Sequence, residues 1–317
     1  MKKSLKALPL LAVAGLGLSA VLPAFAQEGQ INVITREDGS GTRGAFVEIV
    51  GVVDEDDNDL TTQDANVQNQ TSGVMQTVAG DAQAIGYISL GSLDETVKAV
   101  KVDGAEATAE AIKAGDYPIA RPFNVAWNAE EELSEVAADF MSFIHSKDGQ
   151  AIVEEEGYIA VTGEETEEAA EEAAEEESEE AAEEETEEEA EEAELPVYEA
   201  AAELEGTIEV VGSTSVSPLM EKLAEAYKEV QPNVKINVTS NGSSAGMEAA
   251  MNGTADLGMA SRELKEEESA ALESKEIAID GIAIVVNNEN PAEELTMDAI
   301  RSIFLGEITT WEDAIAK

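Results

Sequence analysis

Cysteine is absent from all 317 residues. No disulfide or zinc–thiolate site can be built, and no thiol stands beside the amino-terminal segment to take a lipid. Histidine occurs once, at His145, which leaves no His pair for a metal and no evident base for a serine nucleophile. Aromatic residues make up only 4% of the chain, so a packed core must come from Val, Ile, Leu and Ala. Basic residues are few: 18 Lys and Arg face 69 Asp and Glu, for a formal net charge of −51. Such a surface repels phosphate backbones and excludes non-specific nucleic-acid binding, which needs clustered Lys and Arg. Nor does any run after residue 26 have the length and apolarity of a membrane span.

The first 26 residues have a pattern of their own. Lys2, Lys3 and Lys6 precede an apolar run from Leu8 to Val21, and Ala24-Phe25-Ala26 follows as a small-x-small cleavage site. This is the grammar of a secretory signal, and it predicts an exported, soluble chain that starts near Gln27.

Residues 164–194 form a second distinct segment. Twenty of the 31 are Glu and none is basic; without them the formal charge is still −31. Glu and Ala favour helix, but like charges at i,i+4 spacing oppose it, and the segment has no apolar face to dock. It reads as a solvated linker, with an acidic tail for cations or a partner as the alternative.

Elsewhere, strand-like and helix-like runs alternate. Strands are expected at Ile31–Thr35, Ala84–Leu90, Phe123–Trp127, Thr207–Val211, Val234–Thr239 and Ile277–Asn287. Helices are expected after Gly41, over Glu135–Glu156, Pro218–Val230, Gly242–Met251 and Thr296–Phe304. The alternation predicts α/β layers around a mostly parallel sheet.

Two loops carry the chemical signal. Thr35-Arg36-Glu37-Asp38-Gly39-Ser40-Gly41-Thr42-Arg43 and Val210-Val211-Gly212-Ser213-Thr214-Ser215-Val216-Ser217-Pro218 each lie between a strand-like run and a helical one. Hydroxyls and small-residue amides there sit at helix N-termini, where unpaired N–H groups and the helix dipole favour an oxyanion. Arg36 adds a charged planar fork.

These loops and their surroundings resemble a known family. The runs IEVVGSTSVSPLMEKLAEAYKEVQPNVKINVTSNGSSAGMEAAMNGTADLGMASREL, IDGIAIVVNNENP and MDAIRSIFLGEITTWED are similar to the N-terminal half of periplasmic phosphate-binding proteins of ABC transporters. INVITREDGSGTRGAFVE, TSGVMQTVAGDAQAIGYISL, GDYPIARPF and the closing EEEGYI are similar to the C-terminal half. The halves stand in reversed order, as in a circular permutation, with the acidic segment joining the family's C-terminus to its N-terminus. A misassembled or truncated gene, a pair of fused fragments and a domain-swapped assembly are the alternatives.

The resemblance implies a two-lobed periplasmic-binding-protein-like α/β fold, each lobe a mixed sheet flanked by helices, with a hinge and a central cleft. It implies a signal peptide over 1–26, one lobe from 27–118 plus 282–317, the other from 119–163 plus 205–281, and a linker over 164–204. It further implies a receptor, not an enzyme, that captures inorganic phosphate and delivers it to an ABC permease, without cofactor or metal. The expected ligands are Arg36, Ser40, the Gly41 backbone, Thr42, Thr214, Ser215, Ser243 and Ser261, with Asp38 orienting the arginine. Some family members carry an acceptor Asp where Ser261 aligns, with Arg262 beside it. Sulfate, molybdate or another tetrahedral oxyanion is therefore an alternative ligand, and an acidic interaction protein the alternative role. Ser217, Ser244, His145, Trp127 and Trp311 are read as structural.

Overall fold

The computed structural model describes residues 29–54, 58–161, 195–200 and 203–315. Residues 1–26 and the glutamate-rich 164–194, with the expectations attached to them, lie outside the described residues.

The first half of the chain runs β1 (Asn32–Arg36), α1 (Gly41–Val50), β2 (Asn66–Gln68), α2 (Thr71–Gly80) and β3 (Ala84–Ser89). A 3-10 turn at Leu90–Ser92 leads to β4 (Lys98–Ala99), β5 (Lys101–Val102), α3 (Ala109–Lys113), β6 (Ala120–Asn128), α4 (Glu135–Ile144) and α5 (Lys147–Glu155). The second half runs β7 (Gly206–Gly212), α6 (Ser217–Val230), β8 (Val234–Ser240), α7 (Ser243–Met251), β9 (Leu257–Ala260) and α8 (Glu266–Ser269). It ends with β10 (Leu272–Val286), β11 (Glu294–Leu295), α9 (Met297–Phe304) and α10 (Trp311–Ile315).

One sheet runs in the order β2-β1-β3-β10-β6-β9-β7-β8, with β4 also paired to β10. Its two ends are parallel (β1 with β2 and β3; β7 with β8 and β9), whereas β10 and β6 run antiparallel to their neighbours in the middle. The sheet is therefore mixed, not mostly parallel. The antiparallel centre arises because β10 is a single 15-residue strand that serves both lobes. Its residues 282–286 pair with β3 and its residues 272–281 pair with β6.

Each lobe covers both faces of its part of the sheet. In one, Val33, Phe46, Tyr87, Phe304 and Trp311 pack on one face, and Ile34, Val74, Val78 and Val285 on the other. In the second lobe, Phe123, Phe140, Ile208, Leu223 and Tyr227 fill one face, and Met247, Ala250 and Leu272 the other. Strands buried on both faces read as continuous apolar runs: all six residues of β3 and all four of β9 are buried.

The helix expected over Glu135–Glu156 is two helices. Ser146 breaks it: its hydroxyl donates to Phe143 O at 2.7 Å and accepts from Gly149 N at 3.2 Å, capping α5. At the same junction His145 Nε2 lies 2.8 Å from Glu276 O, and Gln150 Nε2 donates to Ile277 O at 3.1 Å. These side chains meet carbonyls of β10 beside the irregularity in its pairing with β6 between Glu276 and Ala278.

The lobes join where β6 and β10 cross from one to the other. Arg121 pairs in register with Asp280 and Ala120 with Gly281. A Cβ at Gly281 would collide with Ile112, so the crossing passes close under α3.

Candidate anion-binding site

In the first lobe β1 delivers Arg36 to the edge of the cleft, with only 1% of its surface exposed. Its guanidinium is held by Glu37 in a two-point pair, Nε to Oε2 and Nη2 to Oε1, both 2.8 Å. The Arg36 backbone N–H donates to the Tyr87 phenol oxygen at 3.2 Å, and that phenol shares a 2.7 Å hydrogen bond with Thr35 Oγ1. Burial pushes the Tyr87 phenol up to about 12, so it stays neutral. The chain then turns through Gly39, and Ser40 caps α1 by accepting from Arg43 N at 3.3 Å. Gly41 and Thr42 follow as the first residues of the helix, both buried.

In the second lobe Gly212 ends β7 and Ser213-Thr214-Ser215 leads into α6. The Ser213 hydroxyl donates to Ser261 Oγ at 2.8 Å and accepts from Ser215 N at 3.2 Å. The Asn241 and Gly242 N–H groups both donate to Gly212 O at 2.9 Å, which sets the start of α7 beside this loop. Ser243 Oγ accepts from Ser261 N at 3.2 Å. Ser213, Ser215, Ser243 and Ser261 are all buried.

The two loops meet face to face. Arg36 Nη2 donates to Thr214 Oγ1 at 2.9 Å, and Thr42 Oγ1 and Ser215 Oγ are 2.8 Å apart. Ser244 N donates across the cleft to Gly39 O at 3.1 Å. A Cβ on Gly41 would run into the Ser243 and Ser261 side chains, so only glycine permits this approach. Arg36, Gly41, Thr42, Thr214, Ser215, Ser243 and Ser261, 178 residues apart at the Arg36–Thr214 bond, thus come together. Ser40 stands at the rim, beside Asp38 and Arg43 in a groove of about 580 Å³.

The orienting carboxylate differs from expectation. Asp38 does not hold Arg36; its side chain is almost fully exposed and pairs with Arg43 at 3.1 Å. Glu37 holds Arg36 because it is the residue directly adjoining the arginine at the end of β1, whereas Asp38 already lies in the turn. Arg43 in turn pairs with Asp59 at 2.6 Å and donates to Arg36 O at 2.9 Å, bracing the loop.

Thr71, which no sequence motif marks, joins the site: its hydroxyl is 3.4 Å from Arg36 Nη1 and 3.5 Å from Ser215 Oγ. Thr71 opens α2, a helix without a side-chain cap, so the Ser cap that marks α1 has no counterpart there. Ser213 is the other residue the motifs do not single out; it braces the loop through Ser261 and Ser215. The N-termini of α1, α2, α6 and α7 therefore converge on one point, lined by hydroxyls and a buried arginine. Four of the chain's five arginines, Arg36, Arg43, Arg121 and Arg262, belong to this cleft and its floor. Arg262 makes a two-point pair with Glu268 at 2.7 and 2.8 Å and reaches Ser244 Oγ at 3.4 Å. His145 lies away from the cradle, at the α4–α5 junction. Trp311 is buried in the first lobe, and Trp127 donates to Glu273 at 3.1 Å on β10.

Donors of this kind, a charged fork, hydroxyls and helix N-termini, complement a small dehydrated oxyanion. Fold and site together define a two-lobed protein whose cleft is lined with donors that complement an anion. The PBP superfamily domain matches residues 20–148 and 169–317. "Phosphate-binding protein PstS 2" of Streptococcus agalactiae serotype V is 39% identical over 324 residues, covering 99% of each chain. The protein of the same name from Streptococcus pneumoniae serotype 4 is 43% identical over 287 residues, covering 90% of this chain and 87% of that one. A crystal structure of a phosphate ABC transporter, phosphate-binding protein from Streptococcus pneumoniae TIGR4 superposes with a TM-score of 0.66 at 45% identity, covering 90% of this chain and all of that one. The chain belongs to the PBP superfamily and, within it, to the PstS family of these streptococcal proteins. Among the described residues no helix is long and apolar enough to cross a membrane.

Proposed function

We propose that this protein captures inorganic phosphate in the cleft between its lobes and delivers it to an ABC permease. The observation that carries this reading is Arg36: a nearly fully buried arginine, braced by Glu37, bonded across the cleft to Thr214 and surrounded by hydroxyls at four helix N-termini. Phosphate would take charge-assisted bonds from Arg36, hydroxyl bonds from Ser40, Thr42, Thr71, Thr214, Ser215, Ser243 and Ser261, and backbone N–H bonds near Gly41 and Ser215. A net charge of −51 opposes anion approach at long range, so affinity rests on short contacts inside the closed cleft. Binding closes the lobes about the β6–β10 crossing, and the closed form is what the permease reads. The role is that of a receptor without catalysis, exported by the segment 1–26. Titration calorimetry with phosphate, repeated with sulfate as competitor, tests it: phosphate binds and sulfate fails to displace it. Binding of neither anion refutes the reading.

The same reading assigns one lobe to 27–118 plus 282–317 and the other to 119–163 plus 205–281, in a chain permuted relative to the family's other order. The match over 99% of the Streptococcus agalactiae relative supports a natural order of halves over a misjoined gene, because a match of that extent requires the same order in both. Residues 164–194 then serve as the connection, and a chain lacking them retains ligand binding in the same titration. Loss of binding on that deletion would favour the acidic segment as the working part.

A second ligand class is favoured by one observation. Both oxygens of Glu37 are engaged by Arg36, and Ser261 brings a hydroxyl where an acceptor carboxylate would select protonated phosphate. Sulfate or molybdate displacing phosphate in the competition would establish the broader oxyanion specificity.

A further inference from the structure

Behind the cradle, at the crossing of β6 and β10, lies an ion pair that phosphate contact does not require. Arg121 is 3% exposed and Asp280 is fully buried. Arg121 Nη2 and Nε approach Asp280 Oδ2 at 2.9 and 3.2 Å. The remaining bonds run in opposite directions. Arg121 Nη1 donates to the carbonyl of Ser261, a cradle residue of one lobe, at 3.0 Å. Asp280 Oδ1 accepts from Ser89 Oγ of the other lobe at 3.0 Å, and the carboxylate also takes the Gly91 N–H. The guanidinium carbon lies over the Phe123 ring, 5.4 Å from its centroid, within cation–π range.

A buried ion pair is weak evidence for stability, because desolvation offsets its attraction and apolar replacements of similar volume often serve as well. A pair placed one residue behind an anion site has another use. Arg121 is close enough to Arg36 for their charges to interact: burial, and secondarily the Arg36 charge, hold the Arg121 guanidinium below its ordinary range, against the pull of Asp280. Of the arginines at the cleft, Arg36 and Arg121 are the most deeply buried, each with its own carboxylate. Glu37 is partly exposed at the cleft, whereas Asp280 is sealed into the hinge.

The geometry points to Arg121 and Asp280 as affinity-setting positioning residues of the anion cradle: Arg121 supplies a second positive charge behind Ser261, and Asp280 attenuates that charge while anchoring it to the opposite lobe across the hinge. This rests on the oxyanion-capture reading. It goes beyond it in assigning a tuning role to residues that touch no ligand. The consequence is a pair of effects of opposite sign. Asp280→Asn keeps an oxygen for Ser89 and Gly91 but removes the attenuating charge, so anion affinity rises. The double replacement Arg121→Met with Asp280→Leu keeps the volume and removes both charges, so affinity falls because the cation is the nearer of the two to the cradle. A hinge clamp with no electrostatic role predicts instead that Asp280→Asn weakens binding in step with stability.

The test is calorimetric titration of the full-length parent, Asp280→Asn and the double variant with phosphate and with sulfate, alongside thermal unfolding of each. The expected result is an affinity about tenfold higher for Asp280→Asn and about tenfold lower for the double variant, the scale of a unit charge roughly 10 Å away at an effective dielectric near 20. Unchanged or weakened binding by a folded Asp280→Asn protein overturns the proposal. So does a double variant that binds as tightly as the parent, and this arm decides the matter if Asp280→Asn does not fold. A parent that binds sulfate but not phosphate refutes the phosphate reading alone, and the variant comparison is then read with sulfate. A parent that binds neither overturns both.

Discussion

Arg36→Ala is the sharpest test of the cradle. The side chain is 1% exposed and makes contacts of 2.8, 2.8, 2.9 and 3.4 Å to Glu37, Thr214 and Thr71. Two of its N–H groups face the cleft hydroxyls, where a bound oxyanion would take them. Hydrogen bonds to charged groups contribute about 1.5–3 kcal/mol each, so losing two costs about 3–6 kcal/mol of binding. That corresponds to roughly 10²- to 10⁴-fold in Kd. The loss is deepened because Glu37, freed of its partner, turns an uncompensated carboxylate toward the anion. Arg36→Lys restores the charge but not the planar fork and recovers only part of the affinity. Calorimetric titration with phosphate measures both, and thermal unfolding checks that the variants fold. A folded Arg36→Ala protein with affinity within threefold of the parent would refute the site as described.

Gly41→Ala places a methyl against Ser243 and Ser261 across the cleft. Overpacking of this kind costs about 1–3 kcal/mol, so affinity should fall roughly tenfold to a hundredfold while the melting temperature holds, since the clash exists only when the lobes meet. Trp311→Ala removes a 1% exposed indole that packs in the first lobe's core and donates to Gln83 O at 3.2 Å. A loss of about 3–5 kcal/mol of stability is expected by denaturant unfolding. Burial opposes ionisation of Glu268, but hydrogen bonds from Arg262 and Lys265 outweigh it and hold the carboxyl below its ordinary range. Its folded pKa lies below its unfolded one, so its contribution is present above the ordinary glutamate range, about 4.3, and is lost as pH falls through the lower folded value. Glu268→Gln should therefore show a shallower decline in melting temperature below about pH 4.5 than the parent. An equal decline in both would remove Glu268 from the account.

Much of the cradle is legible in the chain because its signals are local. A Ser cap two residues before a buried Thr, preceded by an apolar strand and an arginine, can be read within the seven residues Arg36–Thr42, and an apolar strand running into Ser-Thr-Ser and Ser-Pro can be read at Val210–Pro218. The strands β1, β7 and β8 and the helices α6 and α7 follow from period, and α9 from period and its Thr296 cap. Other features depend on partners far along the chain. β9 is four residues long and carries no alternation, because both its faces are covered. Thr71 joins the site only because β1 pairs with β2 and β3, which brings the start of α2 beside Arg36. The choice between Glu37 and Asp38 as the partner of Arg36 turned on which carboxylate the turn at Gly39 leaves facing the arginine.

Sequence alone determined the α/β alternation, the donor chemistry of the two loops and the family, since each is carried by short runs whose residues interact with near neighbours. Tertiary structure decided that the loops face one another, that one long strand serves both lobes, and that Arg121 meets Asp280 159 residues away behind Ser261. Those outcomes depend on strand order and register. Both emerge from the burial of many weakly directional apolar contacts at once, and no local pattern encodes them.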